Sequence, residues 1–148
     1  MNPTCRLEQL ILSSKNMNEA AAVSLSNVLL RHSATLETLN LGWSIQNMTI
    51  PDWLALLQPL QDPSCRLKKL NLNSNAITDE VAAVLTNALA NNSKLRELDL
   101  GYNRDVTATG WVGFSTVLRN PNSALEILDL GGNRINDHVM TSFALQDP

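Results

Sequence analysis

Aromatic residues are scarce in this chain: three Trp, two Phe and one Tyr among 148 residues. Charge is scarce too. Charged residues make up 17%, against about 25% in a typical soluble domain, so the polar surface has to come from Asn, Ser, Thr and Gln. The net charge is −3 and no basic block occurs, which removes the electrostatic support that nucleic-acid binding needs. No apolar run reaches the ~18 residues of a membrane-spanning helix. The opening Met1-Asn2-Pro3-Thr4-Cys5-Arg6 lacks the basic segment and long apolar stretch of a secretory leader, so a cytoplasmic protein is expected. There is no Gly-rich phosphate loop, no His pair at metal-ligand spacing and no Cys-x-x-Cys. His32 and His138 stand far apart in sequence, without a recognisable nucleophile motif beside either. No catalytic residue, cofactor or metal is therefore expected, and both histidines read as surface residues. The triplets Asn47-Met48-Thr49 and Asn91-Asn92-Ser93 fit the glycosylation pattern, but so Asn-rich a chain produces such triplets by chance.

What the chain does have is leucine at fixed intervals. Leu-x-x-Leu-x-Leu occurs five times: Leu7-Leu10-Leu12, Leu36-Leu39-Leu41, Leu67-Leu70-Leu72, Leu95-Leu98-Leu100 and Leu125-Leu128-Leu130. The starts are 29, 31, 28 and 30 residues apart, a period that signals stacked supersecondary units. Three residues beyond each third Leu stand Lys15, Ser44, Asn75, Asn103 and Asn133. A longer similarity relates the first and third units, where Pro3-Thr4-Cys5-Arg6-Leu7 matches Pro63-Ser64-Cys65-Arg66-Leu67.

The physics of one unit follows from this spacing. In Leu-x-Leu the leucines face one side of a short strand and the intervening residue the other. The Asn falls where the chain turns out of the strand, and its amide can both donate to and accept from buried backbone groups. Lys15 and Ser44 cannot do this in the same way, so the first two turns are expected to be less regular. A helix follows each turn. In the third unit Ile77, Val81, Val84, Leu85, Ala88 and Leu89 recur on one helical face, with Thr78 as N-cap and Asp79 and Glu80 in the first turn. Asn18 and Glu19 repeat that arrangement in the first unit. Pro51 suits an early helical position in the second, with Trp53 and Leu57 on its apolar face. Val106, Gly110, Phe114 and Leu118 form the face in the fourth. No unit buries its apolar side alone, so stacking must build one continuous core. Because helices are wider than strands, the stack curves with the sheet inside.

These five leucine strings, together with Asn75, Asn103 and Asn133, resemble the ribonuclease-inhibitor-like subfamily of leucine-rich repeats, whose units lie at the long end of the roughly 20–29-residue range. The resemblance implies an α/β solenoid of about five repeats, a curved right-handed superhelix with a parallel concave sheet and convex helices. It spans residues 1–148 as one domain, with repeats starting near 7, 36, 67, 95 and 125. Relatives of this type inhibit enzymes, sense ligands in immune receptors, bind actin or activate small GTPases. The resemblance thus implies a non-enzymatic scaffold that recognises a protein partner through the inner face and its rim. The alternatives are a structural or self-associating module and a regulatory subunit such as a GTPase activator. The last would need a placed rim arginine, and Arg104 and Arg134 are weak candidates for it.

Outward strand positions form three lanes. One is Gln9, Thr38, Lys69, Glu97, Ile127; the central one is Ile11, Asn40, Asn71, Asp99, Asp129; the third is Ser13, Gly42, Asn73, Gly101, Gly131. The next residue along, at the rim, is Ser14, Trp43, Ser74, Tyr102 or Gly132. Trp43 and Tyr102 therefore share one repeat position that should face solvent, and exposed Trp and Tyr are frequent interface anchors. The competing reading folds them against a neighbouring turn. The partner-binding set expected is Trp43, Tyr102, Asn40, Asn71, Lys69, Glu97, Asp99 and Asp129. Gly101 and Gly131 are expected to leave backbone accessible beside the two acids, where a basic segment would fit. Trp53, Phe114 and Phe143 read as core. Cys5 and Cys65 sit two repeats apart, roughly 9–10 Å on ~4.8 Å strand spacing, too far for a disulfide; both are expected as free thiols packed before their strands. Neither end carries a polar cap, so pairing with further repeats, another domain or another copy of the chain is expected there.

Overall fold

The computed structural model describes residues 5–14 and 16–144. These residues alternate strand and helix: β1 (Gln9–Ile11), α1 (Glu19–Arg31), β2 (Thr38–Asn40), α2 (Ile50–Leu57), β3 (Lys69–Asn71), α3 (Asp79–Leu89), β4 (Glu97–Asp99), α4 (Ala108–Arg119), β5 (Ile127–Asp129) and α5 (Asp137–Ala144). The strands form one parallel sheet in sequence order, with Leu10, Leu39, Leu70, Leu98 and Leu128 in register. Each helix packs on the next along the opposite layer. This is the α/β solenoid the leucine period predicts.

The core lies between the two layers. Leu39, Leu70 and Leu98 from the strands meet Leu25, Trp53, Leu85 and Phe114 from the helices, all buried; each such side chain contributes about 2 kcal/mol of transfer free energy. At the outer repeats Leu10 and Leu128 are only half-buried, because among the described residues each has a neighbouring strand on one side alone. For the same reason Phe143, expected in the core, is only half-buried on α5, whereas Trp111 is buried and meets Phe114 edge-on at 6.0 Å. Leu118 is also displaced from the expected face: it is exposed, and Val117 is buried instead beside Trp111 and Phe114. Both cysteines are free thiols, but only Cys65 is packed. Cys5 is exposed.

Local chemistry sets the helix starts. Asn18 accepts from the N–H of Ala21, and Thr78 from that of Val81. Thr49 and Asp52 form a reciprocal capping box that buries Asp52. The helix it begins is short. Pro59 follows closely, and the chain tightens into a single 3-10 turn over Gln58–Gln61.

Candidate functional site: the concave sheet and its rim

The turns after β1 to β4 are bonded by side chains of the following repeat. Asn75 Oδ1 accepts from the backbone N–H groups of Ser44 and Ile45 at 2.9 and 2.8 Å, while its Nδ2 donates to Leu41 O at 2.8 Å. Asn103 repeats this one unit later, accepting from Asn75 N and donating to Leu72 O, and Asn133 does so again toward Asn103 N and Leu100 O. The ladder satisfies backbone groups that would otherwise be buried unpaired. Ser44 corrects the expectation of an irregular second turn. It is fully buried and its hydroxyl donates to Leu12 O, so it keeps the donor half of the asparagine's role. Lys15 lies outside the described residues.

The ladder fixes the geometry of the rim. Ser14, Trp43, Ser74, Tyr102 and Gly132 all adopt left-handed backbone, with φ of 62, 59, 55, 55 and 73°. The N–H groups of the first four bond to the next repeat: Ser14 donates to Gly42 O, Trp43 to Asn73 O, Ser74 to Gly101 O and Tyr102 to Gly131 O. At this position Trp43 and Tyr102 are 64% and 55% exposed, whereas the small side chain of Ser74 is buried. Left-handed backbone costs an L-residue roughly 1–2 kcal/mol, which glycine avoids. Two of the chain's six aromatics thus occupy strained, solvent-facing positions. Tyr102 leans over Gly132, where an added Cβ would come within 2.6 Å of its ring. The Arg104 guanidinium lies over the same ring, 5.9 Å from its centroid, and Arg104 Nε donates to Gly132 O.

Across the inner face the central lane has a structural duty that sequence reasoning missed. Asn40, Asn71, Asp99 and Asp129 each accept, through Oδ1, the N–H two residues on: Gly42, Asn73, Gly101 and Gly131, at 2.8–3.0 Å. A carboxylate or carboxamide at this position closes the strand exit, which is why only Asn and Asp occur there from the second repeat onward. The signal was present in the sequence as the Asn/Asp-x-(Gly/Asn) spacing. One oxygen of each side chain is used this way. Gly101 differs from expectation: it is buried, and its N–H and C=O are both bonded, to Asp99 and Ser74, so its backbone is not available. A side chain would also not fit there, because an added Cβ would lie 2.9 Å from Asn73 Nδ2.

In the adjoining lane Lys69 and Glu97 pair at 3.0 Å across β3 and β4, while Ile127 is 56% exposed. Just before the strands, Glu37 pairs with Lys68 at 2.9 Å and Arg96 with Glu126. The hydrogen bond from Lys68 holds the Glu37 carboxyl below its ordinary pKa. A shallow hollow of about 310 Å³ brings together Asn40, Lys69, Asn71, Glu97, Asp99 and Asp129, with Thr38 and Ile127. Six of the eight expected binding residues therefore line one surface. Trp43 and Tyr102 do not line it; they stand on the rim beyond the strand ends. The histidines are not brought together: His32 ends α1 and His138 lies exposed on α5. Among the described residues no group of three or more His, Cys, Asp or Glu is placed to hold a metal, and no helix is long and apolar enough to cross a membrane.

A family model described as Leucine Rich repeat matches residues 64–83, 91–115 and 122–138. The chain belongs to the leucine-rich repeat family, and its repeats are of the ribonuclease-inhibitor-like type. It is similar to NACHT, LRR and PYD domains-containing protein 14 of Mus musculus, at 36% identity over 130 residues, covering 87% of this chain and 13% of that protein. Ribonuclease inhibitor of Mus musculus is 29% identical over 164 residues, covering 92% of this chain and 35% of the inhibitor. The chain thus spans a minor part of the relatives it matches. Among solved structures it resembles Leiomodin-1 Actin-Binding Site 2, with a TM-score of 0.72 and 16% identity, covering 97% of this chain and 81% of that one; at that identity the likeness is one of fold. Leucine-rich repeat proteins generally mediate protein–protein interaction.

Proposed function

We propose that this leucine-rich repeat chain is a non-enzymatic scaffold that binds a protein partner through the concave sheet and its rim. The observation that carries the reading is the pair Trp43 and Tyr102. Both are large, exposed and held in left-handed backbone at one repeat position, where Ser and Gly serve the fold in the other repeats. Although Tyr102 also leans on Gly132 and Arg104, more than half of each side chain's surface is left to solvent, and Trp and Tyr bury large area against a partner at low entropic cost. Asn40, Asn71, Lys69, Glu97, Asp99 and Asp129 form the adjoining polar floor. The ribonuclease inhibitor among its relatives acts on an enzyme, as its name says, and restraint of an enzyme is one form such binding takes.

The test is site-specific photo-crosslinking in the native cell extract, with the reactive residue at Trp43 or Asn71 and, for comparison, at Leu54 on the convex face. Crosslinks from the first two positions and not from Leu54 are expected. Crosslinks from Leu54 alone refute the concave reading. A companion variant, Trp43→Gly, should weaken crosslinking from Asn71 while leaving stability within about 1 kcal/mol, because relief of the left-handed strain offsets the entropy of a new glycine.

A further inference from the structure

The partner's chemistry is written on the C-terminal half of the sheet. Asp99 and Asp129 are register partners on β4 and β5, about 4.8 Å apart across the sheet. Like charges placed directly opposite destabilise a strand pair. Each carboxylate commits Oδ1 to the turn, to Gly101 N and Gly131 N. Neither takes part in the three ion pairs found between described residues. The nearby cations are engaged elsewhere: Lys69 with Glu97, Arg96 with Glu126, and Arg104 with Gly132 O and the Tyr102 ring.

The surroundings narrow the occupant. On one side of the carboxylates stands Ile127, an exposed aliphatic side chain in an otherwise polar lane. On the other are Gly101 and Gly131, which contribute no side chains of their own between the carboxylates and the Tyr102 rim; Asn73, just beyond β3, lies beside Gly101. Tyr102 lies three residues beyond Asp99, roughly 10 Å along an extended chain. Its ring carries the Arg104 guanidinium, 5.9 Å from the centroid, a cation–aromatic contact within the chain. The N-terminal half lacks this charge, because the same lane carries Asn40 and Asn71.

We infer that β4, β5 and the Tyr102 rim dock an extended protein segment bearing Arg or Lys next to an aliphatic residue, the cation lying over Asp99 and Asp129 and the aliphatic side chain on Ile127. This rests on the concave sheet being the binding surface and adds the class of segment it takes. Charge complementarity supplies the selectivity: an acidic segment would meet two uncompensated carboxylates.

The experiment titrates the full chain with a short acetylated peptide built of Arg-Ile-Ala triplets, and with its Glu-Ile-Ala counterpart, following backbone amides by NMR. The double variant Asp99→Asn, Asp129→Asn removes both charges yet keeps the Oδ1 acceptors, as Asn40 and Asn71 do natively in repeats two and three. The basic peptide is expected to shift the amides of Asp99, Gly101, Asp129 and Gly131, and to bind the double variant about tenfold more weakly, at a melting temperature no lower than that of the wild type, because the repulsion between the two carboxylates is removed. Equal affinity for the wild type and the double variant overturns the inference. Preferential binding of the acidic peptide to the same amides overturns it too, while leaving the concave sheet as the binding surface. Shifts confined to the convex helices overturn both readings.

Discussion

Asn103 shows what one side chain does in this architecture. Its Oδ1 receives N–H groups from Asn75 and Ile77, and its Nδ2 reaches the carbonyls of Leu72, Leu100 and Gly101. All of this is buried, so truncation strands several backbone groups at once. Asn103→Ala should cost about 3 kcal/mol by urea unfolding, on the order of the desolvation penalty for orphaned buried groups. Asn133→Ala, half-buried in the last repeat, should cost less than half as much, since water reaches the groups it leaves. The role of these asparagines was legible from spacing alone, because only a side chain that both donates and accepts suits a turn out of a buried strand. That Ser44 fills the donor half by bonding Leu12 O was not legible: it depends on the position of a carbonyl one repeat away. The second duty of the central lane was available in the Asn/Asp-x-(Gly/Asn) spacing, but the lane's outward direction drew attention to ligands instead.

Between elements, α3 packs against α4. Asp79, in the first turn of α3, accepts from Thr107 N at 2.7 Å and from Thr107 Oγ1 at 2.6 Å, so the start of one helix anchors the N-cap of the next. Gly110 makes room for it. An added Cβ there would sit 2.3 Å from Asp79 Oδ1 and 2.7 Å from Val106 Cγ1. Helix propensity favours alanine over glycine by roughly 1 kcal/mol, yet overpacking of this kind costs about 1–3 kcal/mol. Gly110→Ala is therefore expected to destabilise the protein despite the better helix former, and Asp79→Ala in the same chain should recover part of the loss. A thermal-unfolding double-mutant cycle reads that coupling; additive losses would show that Val106, rather than Asp79, is the obstruction. Sequence reading placed Gly110 on the apolar face and Asp79 in the first turn, both correctly. That the two meet follows from the angle at which neighbouring helices pack, which no local pattern specifies. The same rotation exposes Leu118 and buries Val117.

At the scale of the whole molecule, each repeat touches only its neighbours, so stability is a sum of repeats and interfaces. The middle repeats have two interfaces and the outer repeats one among the described residues, with Leu10 and Leu128 half-buried. Hydrogen exchange should accordingly be slowest at Leu70 and Leu98 and fastest at β1 and β5. Exchange at Leu128 and Leu130 that slows as protein concentration rises would report stacking of copies through the open edges; uniform protection across all five strands would contradict the nearest-neighbour picture. The sequence by itself determined the repeat, the strand-turn-helix order of each unit, the sheet register and the aromatics shared by one rim position, because a period in leucine and asparagine dictates which side each residue faces. Only the tertiary structure decided the rest. It showed that the rim backbone is left-handed, that Arg104 lies on Tyr102, and that Asp99 and Asp129 stand side by side outside the ion pairs around them. Those facts arise from distances between repeats, where residues about thirty positions apart in the chain become neighbours ~4.8 Å apart across the sheet.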